Sequence, residues 1–145
     1  MGAGQWDMNI SFAFSPTVER TRTDFSAGKR ILIVEDQETI LIFLRDRLEQ
    51  LGLAIFTASN GAEALALLQK DSFQGILLDL EMPGMDGLSM LNQLRKQSKS
   101  VPVIVMSADP TQTAMIKAIE AGARDYLTKP ISNEILKYKC LRLFA

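Results

Sequence analysis

Glu35, Asp36, Asp79, Ser107 and Lys129 each stand at or just past the end of a short, strand-like run. Residues 31–34 lead into Glu35-Asp36, 76–78 into Asp79, 103–106 into Ser107 and 126–128 into Lys129. If these runs are parallel strands, their carboxyl ends open onto one sheet edge, where open α/β sheets place their chemistry. Three carboxylates converging on one crevice repel one another and need a counter-charge. An oxygen-preferring cation is the natural one, and Mg²⁺ is the best match to this ligand set. Lys129 adds a second positive group and Ser107 a hydroxyl donor. The set resembles a cradle for a phosphoryl group, with a nucleophilic carboxylate, a metal, an ammonium and a hydroxyl around its oxygens. Asp79 is the first candidate for the nucleophile. An apolar run stops at it, and Pro83, Gly84 and Gly87 then force a loop.

Each residue alone has a plainer reading. Asp79 is a solvated turn residue, Glu35-Asp36 are charges complementing a helix dipole, and Ser107 is a helix cap. Tyr126 is a half-buried strand aromatic and Lys129 a surface lysine. The combination on successive strand ends carries the sharper reading. A cis bond before Pro130 in a tight turn would aim Lys129 into the crevice.

Composition narrows the chemistry further. The chain has 145 residues, 47% of them hydrophobic and 23% charged, as expected of one globular domain. Sixteen basic residues against seventeen acidic ones leave no excess to hold a phosphate backbone, so direct nucleic-acid binding is not expected. No apolar run reaches the roughly 20 residues of a membrane span, so no membrane partner is expected. The single cysteine, Cys140, permits no internal disulfide and points to a reducing, cytoplasmic setting. There is no histidine, which removes His-based triads, His general bases and the commonest transition-metal ligand.

The elements that must position these residues alternate. Strands are predicted over 31–34, 53–58, 76–79, 101–106 and 125–128, and helices over 38–51, 62–70, 88–96, 111–121 and 131–144. Nearly continuous apolar strands between helices imply a parallel sheet covered on both faces, and right-handed crossovers make it doubly wound. Residues 1–29 form an N-terminal extension to a domain of 30–145. In it Trp6, Met8, Ile10, Phe12 and Phe14 alternate with smaller or polar residues, the pattern of a half-buried strand that docks on the domain or on a neighbouring molecule.

Four stretches then resemble one family. They are Val34-Glu35-Asp36; Leu78-Asp79-Leu80-Glu81-Met82-Pro83-Gly84-Met85-Asp86-Gly87; Met106-Ser107-Ala108; and Ala121-Gly122-Ala123-Arg124-Asp125-Tyr126-Leu127-Thr128-Lys129-Pro130. Together they resemble response-regulator receiver domains of two-component systems, in order and on the right elements. The resemblance implies a flavodoxin-like sheet of order 2-1-3-4-5 and a phosphorylation-dependent signalling switch, not an enzyme beyond its own phosphotransfer and autodephosphorylation. It implies phosphorylation of Asp79 by a histidine kinase or phosphotransfer protein. It also implies Mg²⁺ held by Asp36, Asp79 and the Glu81 carbonyl, with Glu35 acting through water. Ser107 and Lys129 would contact the phosphoryl oxygens, Tyr126 would reorient with Ser107, and Glu81 and Asp109 would tune phosphoryl lifetime. Without a histidine of its own, the chain would take its phosphoryl group from another protein.

The last helix carries two apolar stripes. At about 100° per residue, Leu136, Cys140, Leu143 and Phe144 share the face expected to cover the sheet, while Ile131, Ile135 and Tyr138 fall opposite. With Tyr126, the second stripe is the expected output surface, in a family that uses its fourth helix, fifth strand and fifth helix for output. It would serve a homodimer, a partner or an effector domain outside this chain. Two rival readings come from other classes. A haloacid-dehalogenase-like hydrolase would need Asp two residues after the nucleophile, where Glu81 stands. A constitutive interaction module would have no use for the acceptor, acidic pair and lysine together.

Overall fold

Strands β1 (Arg30–Val34), β2 (Ala54–Ala58), β3 (Gly75–Asp79), β4 (Val103–Ser107) and β5 (Asp125–Thr128) alternate with helices α1 (Glu38–Glu49), α2 (Gly61–Lys70), α3 (Gly87–Gln97), α4 (Gln112–Glu120) and α5 (Asn133–Phe144). This computed structural model describes residues 28–97 and 100–144. The strand expected within 6–14 lies outside them. The five strands form one parallel sheet of order β2-β1-β3-β4-β5. Among the described residues no helix is long and apolar enough to cross a membrane.

Side chains alternate across a strand, and here both faces are covered. Leu32, Val34, Ile76, Leu78, Val103 and Val105 meet Ala64 of α2, Met90, Leu91 and Leu94 of α3 and Ala118 of α4. On the opposite face Ile31, Ile33, Leu77, Ile104, Met106 and Leu127 meet Leu44 and Leu48 of α1 and Leu136, Cys140 and Phe144 of α5. Each fully buried large apolar side chain contributes about 1.5–3 kcal/mol. The central β3 and β4 are buried along their whole length, which is why their sequences are apolar up to the Asp79 and Ser107 that end them. Packing is close enough that Gly75 has no alternative: a Cβ there would stand 2.4 Å from the Phe144 ring.

The boundaries shift where caps decide them. α1 ends at Glu49 rather than at 51, because Leu51 and Gly52 N–H groups turn back to Leu48 and Glu49, with Gly52 at φ 86°. Asn60 caps α2 by accepting from the Glu63 N–H (2.8 Å), and Thr111 caps α4 by accepting from Ala114 (3.2 Å). α5 begins at Asn133, so Ile131 precedes it and packs on the Ile31–Phe144 side of the core. This corrects the expectation that Ile131 shares an outward stripe with Ile135 and Tyr138. Leu143 is only partly buried, while Leu136, Cys140 and Phe144 cover the sheet as expected. Burial pushes the Cys140 thiol up to about 12, so it is inert packing.

Candidate functional site

Strand register brings the site together. Asp79 pairs with Met106, and Ser107 with Thr128, so β3, β4 and β5 end side by side. The ladders run on past the strands: Glu35 N–H donates to Ala58 O (3.0 Å), Leu80 N–H to Met106 O (3.0 Å) and Lys129 N–H to Ser107 O (2.8 Å). The residue just beyond β1, β3 and β5 is thereby held by the same ladder as the strand itself.

On the β1 side, Glu35 is fully buried and Asp36 beside it is exposed. Oxygens of Glu35, Asp36 and Asp79 all lie within 4.8 Å of one another. Glu35 Oε2 accepts from the Gln37 N–H (3.1 Å), and Oε1 lies 3.4 Å from Lys129 Nζ without receiving a hydrogen bond. Burial raises the Glu35 pKa above its ordinary value, the nearby Asp79 charge adds to this, and the Gln37 N–H and Lys129 work against it. Asp79 is 1% exposed; its Oδ1 lies 3.1 Å from Lys129 Nζ and accepts from the Glu81 N–H (2.9 Å). Burial works against the Lys129 charge, but its contacts with Asp79 and Glu35 outweigh burial and raise its pKa. The Lys129-Pro130 bond is cis and Lys129 points into the crevice, as expected. The donor set is all oxygen, with three carboxylates against one ammonium and a buried carboxylate oxygen left without a hydrogen bond. It fits a small, hard dication.

On the β4 side the neighbours differ. The buried Ser107 hydroxyl donates to Glu81 Oε2 (2.6 Å), and the Ala108 N–H reaches Glu81 Oε1 (2.9 Å) and Oε2 (3.0 Å). Ser107 Oγ also accepts from the Asp109 N–H (3.0 Å), and the Asp109 carbonyl accepts from the Tyr126 hydroxyl (2.7 Å). A continuous chain of hydrogen bonds thus runs from Glu81 through Ser107 and Asp109 to Tyr126. The Asp109 carboxylate is turned away to Thr111, whose hydroxyl and N–H lower its pKa.

Tyr126 is 5% exposed, so it does not stand on the outer surface expected to include it. Its ring belongs to the core between the sheet and α2–α4. Ile135 and Tyr138 are exposed as expected, at 50% and 65%, and Met115, Ile116 and Ile119 of α4 are exposed as well. Beside them Asp125 accepts from Lys139 (2.8 Å) and Arg142 (2.7 Å), and Lys139 also donates to Tyr126 O (2.7 Å), tying α5 to β5. Sequence reasoning missed this tie, although basic residues two turns into a helix after an acidic strand residue were a readable signal. It also missed the Ala108 N–H, a backbone donor that no side chain announces.

A family model for the response regulator receiver domain matches residues 31–140. The chain is 38% identical over 105 residues to the alkaline phosphatase synthesis transcriptional regulatory protein PhoP of Bacillus subtilis, covering 72% of this chain and 44% of that protein. It is 41% identical over 115 residues to the two-component response regulator ARR14 of Arabidopsis thaliana, covering 78% and 30%. The chain thus spans less than half the length of these curated relatives. Among solved structures, the Francisella response regulator 1452 receiver domain aligns with a TM-score of 0.75 at 34% identity, covering 81% of this chain and 97% of that one. The chemotaxis protein CheY4 of Vibrio cholerae aligns with a TM-score of 0.75 at 29% identity, covering 81% and 99%. With fold order, strand-end residues and sequence in agreement, this chain belongs to the response regulator receiver domain family.

Proposed function

We propose that this receiver works as a phosphorylation switch with Asp79 as its acceptor. The observation that carries the reading is the buried Asp79 carboxylate, 3.1 Å from the Lys129 ammonium and within 4.8 Å of two further carboxylates. An Asp79 oxygen attacks the phosphorus of a phosphohistidine on a kinase or phosphotransfer protein. The P–N bond breaks, the imidazole keeps the electron pair, and an acyl phosphate remains on Asp79. Lys129 neutralises charge on the transferring group. Asp36, Asp79 and the Glu81 carbonyl, with Glu35 acting through water, would hold Mg²⁺, which would supply further charge neutralisation. The Ser107 hydroxyl and Ala108 N–H are the donors for the phosphoryl oxygens. Glu81, two residues past Asp79, and Asp109, two past Ser107, set how long the acyl phosphate lasts.

A groove of about 530 Å³ lined by Ile40, Phe43, Pro130 and Ile131 reaches Lys129 and is a fitting seat for the donor protein. The switch then acts through Ser107, Asp109 and Tyr126 on the α4–β5–α5 side, where Ile135 and Tyr138 are exposed. A coupling of about 1–3 kcal/mol suffices to shift populations 5–150-fold there. A homodimer or an effector domain outside this chain would read the change, and residues 1–29 stand as an extension to the domain. The test is phosphorylation of wild type and Asp79→Asn by a small-molecule phosphodonor, with and without Mg²⁺, read by intact mass and by sizing. A Mg²⁺-dependent mass gain lost in Asp79→Asn is expected. No gain under any condition would sink the assignment.

A further inference from the structure

On the reading that Asp79 is phosphorylated, we propose that the Glu81 carboxylate is a built-in occupant of the phosphoryl cradle. It takes the Ser107 hydroxyl and the Ala108 N–H before phosphorylation and must leave for a phosphoryl group to use them.

The geometry is specific. Glu81 accepts from Ser107 Oγ at 2.6 Å and from the Ala108 N–H at 2.9 and 3.0 Å with its two oxygens. On that reading these donors, at and just past the end of β4 and next to Asp79 on the sheet edge, are the ones an acyl phosphate on Asp79 would use. Anionic oxygens are what such donors prefer, and hydrogen bonds to charged groups are the stronger ones. The contact is no accident of a free side chain. Leu80 N–H continues the β3–β4 ladder to Met106 O, and the Glu81 N–H is fixed on Asp79 Oδ1. Backbone held at both residues delivers the Glu81 side chain to Ser107. Glu81 is nonetheless exposed, so it can swing into solvent without opening the core.

Two consequences follow from one carboxylate in this place. Phosphorylation exchanges one anion for another at Ser107, and the incoming group must displace a resident acceptor. The unphosphorylated protein also already holds the Ser107–Asp109–Tyr126 chain of hydrogen bonds, with Tyr126 turned inward. Glu81 is on this account a positioning residue that opposes occupancy of the cradle.

The experiment uses NMR of the full chain for wild type, Glu81→Ala and Glu81→Gln, first without any phosphoryl group and then titrated with beryllofluoride and Mg²⁺. In the free Glu81→Ala protein the Ala108 amide proton should lose its charged acceptor, move upfield and exchange faster with solvent. Beryllofluoride should then half-saturate Glu81→Ala at a concentration about tenfold lower than wild type, the size expected for one charged hydrogen-bonded competitor. Glu81→Gln, an acceptor without charge, should fall between. An Ala108 resonance and exchange rate unmoved in Glu81→Ala, or equal half-saturation in all three proteins, overturns the proposal. Absence of beryllofluoride binding in all three overturns the Asp79 reading instead. The two failures are told apart by the Ala108 amide, which needs no phosphoryl ligand to report on Glu81.

Discussion

On one flank of Asp79 stand Glu35, Asp36 and Lys129; on the other stand Glu81, Ser107 and the Ala108 N–H. The first flank gathers excess negative charge around one ammonium and leaves a buried carboxylate oxygen, Glu35 Oε1, without a hydrogen bond. It is electrostatically incomplete and suited to taking up a cation. The second flank is complete, since its donors for an anion are already filled by an anion of the chain's own. On the proposed reading one side would take up a cation, and the other would give up its resident carboxylate to receive a phosphoryl group. On that reading charge neutralisation and switching fall to different neighbours of the same carboxylate, and substitutions should separate them.

The largest effect should come from the centre. Asp79→Asn is expected to abolish phosphoryl uptake, read as loss of the mass gain, because both flanks lose the group they serve. Next comes the acidic flank. Lys129→Met removes the only ammonium within 4 Å of Asp79 and Glu35 among the described residues and should slow transfer by about 100-fold, measured by stopped-flow with a small phosphodonor. If the slowing is no more than twofold, the electrostatic division between the flanks is wrong.

Ser107→Ala tests the other flank. It should leave Mg²⁺ affinity within about twofold, because the Ser107 hydroxyl is hydrogen-bonded to Glu81 and the Asp109 N–H rather than to the acidic cluster. It should cost about 1 kcal/mol of stability from the lost Glu81 hydrogen bond, read by chemical denaturation. Phosphorylation should then no longer alter the Tyr126 environment, seen by NMR of labelled tyrosine. A loss of Mg²⁺ affinity as large as the loss of switching would merge the two flanks into one unit.

The smallest effect serves as a control outside both flanks. Burial alone would raise the Asp125 pKa, but the Lys139 hydrogen bond, the Tyr126 N–H and the charges of Lys139 and Arg142 together lower it. A group whose folded pKa is depressed stabilises the fold above its unfolded pKa, and that contribution is lost as pH falls through the folded value. Asp125→Asn should therefore cost about 1 kcal/mol at neutral pH, and the difference from wild type should shrink below the ordinary aspartate range. A difference independent of pH between neutrality and pH 3 would show that packing, not the ion pairs, sets the cost. Phosphoryl uptake by Asp125→Asn should match wild type.

The acidic flank was legible in the sequence and the second flank only half so. Glu35, Asp36, Asp79 and Lys129 are ionisable residues at the ends of apolar runs, and a parallel sheet leaves such positions nowhere to converge except one edge. Ser107 was found in the same way. The Glu81 side chain was not: the family resemblance gave its carbonyl to the metal and its position to phosphoryl lifetime, but its partners are a hydroxyl and an N–H at the end of β4, 26 and 27 residues away. Tyr126 was placed on the correct strand and the wrong side of the surface. Spacing cannot tell whether an aromatic at a strand end faces solvent or finds a carbonyl for its hydroxyl, as Tyr126 does at Asp109. Ile131 was misplaced for a similar reason, because helical periodicity was extended through two residues that precede the helix.

What the sequence by itself determined is the sheet. Central strands buried on both faces must be apolar throughout, helices beside them must repeat near 3.6 residues, and the alternation of the two admits few topologies. The order of residues along the chain then decides which strand ends carry charge. What only the tertiary structure decided is which donor meets which acceptor across that edge. A hydrogen bond depends on distances of a few tenths of an ångström and on backbone groups that every residue shares. Residue types cannot express such a choice, and it was the register of β3 against β4 that delivered Glu81 to Ser107.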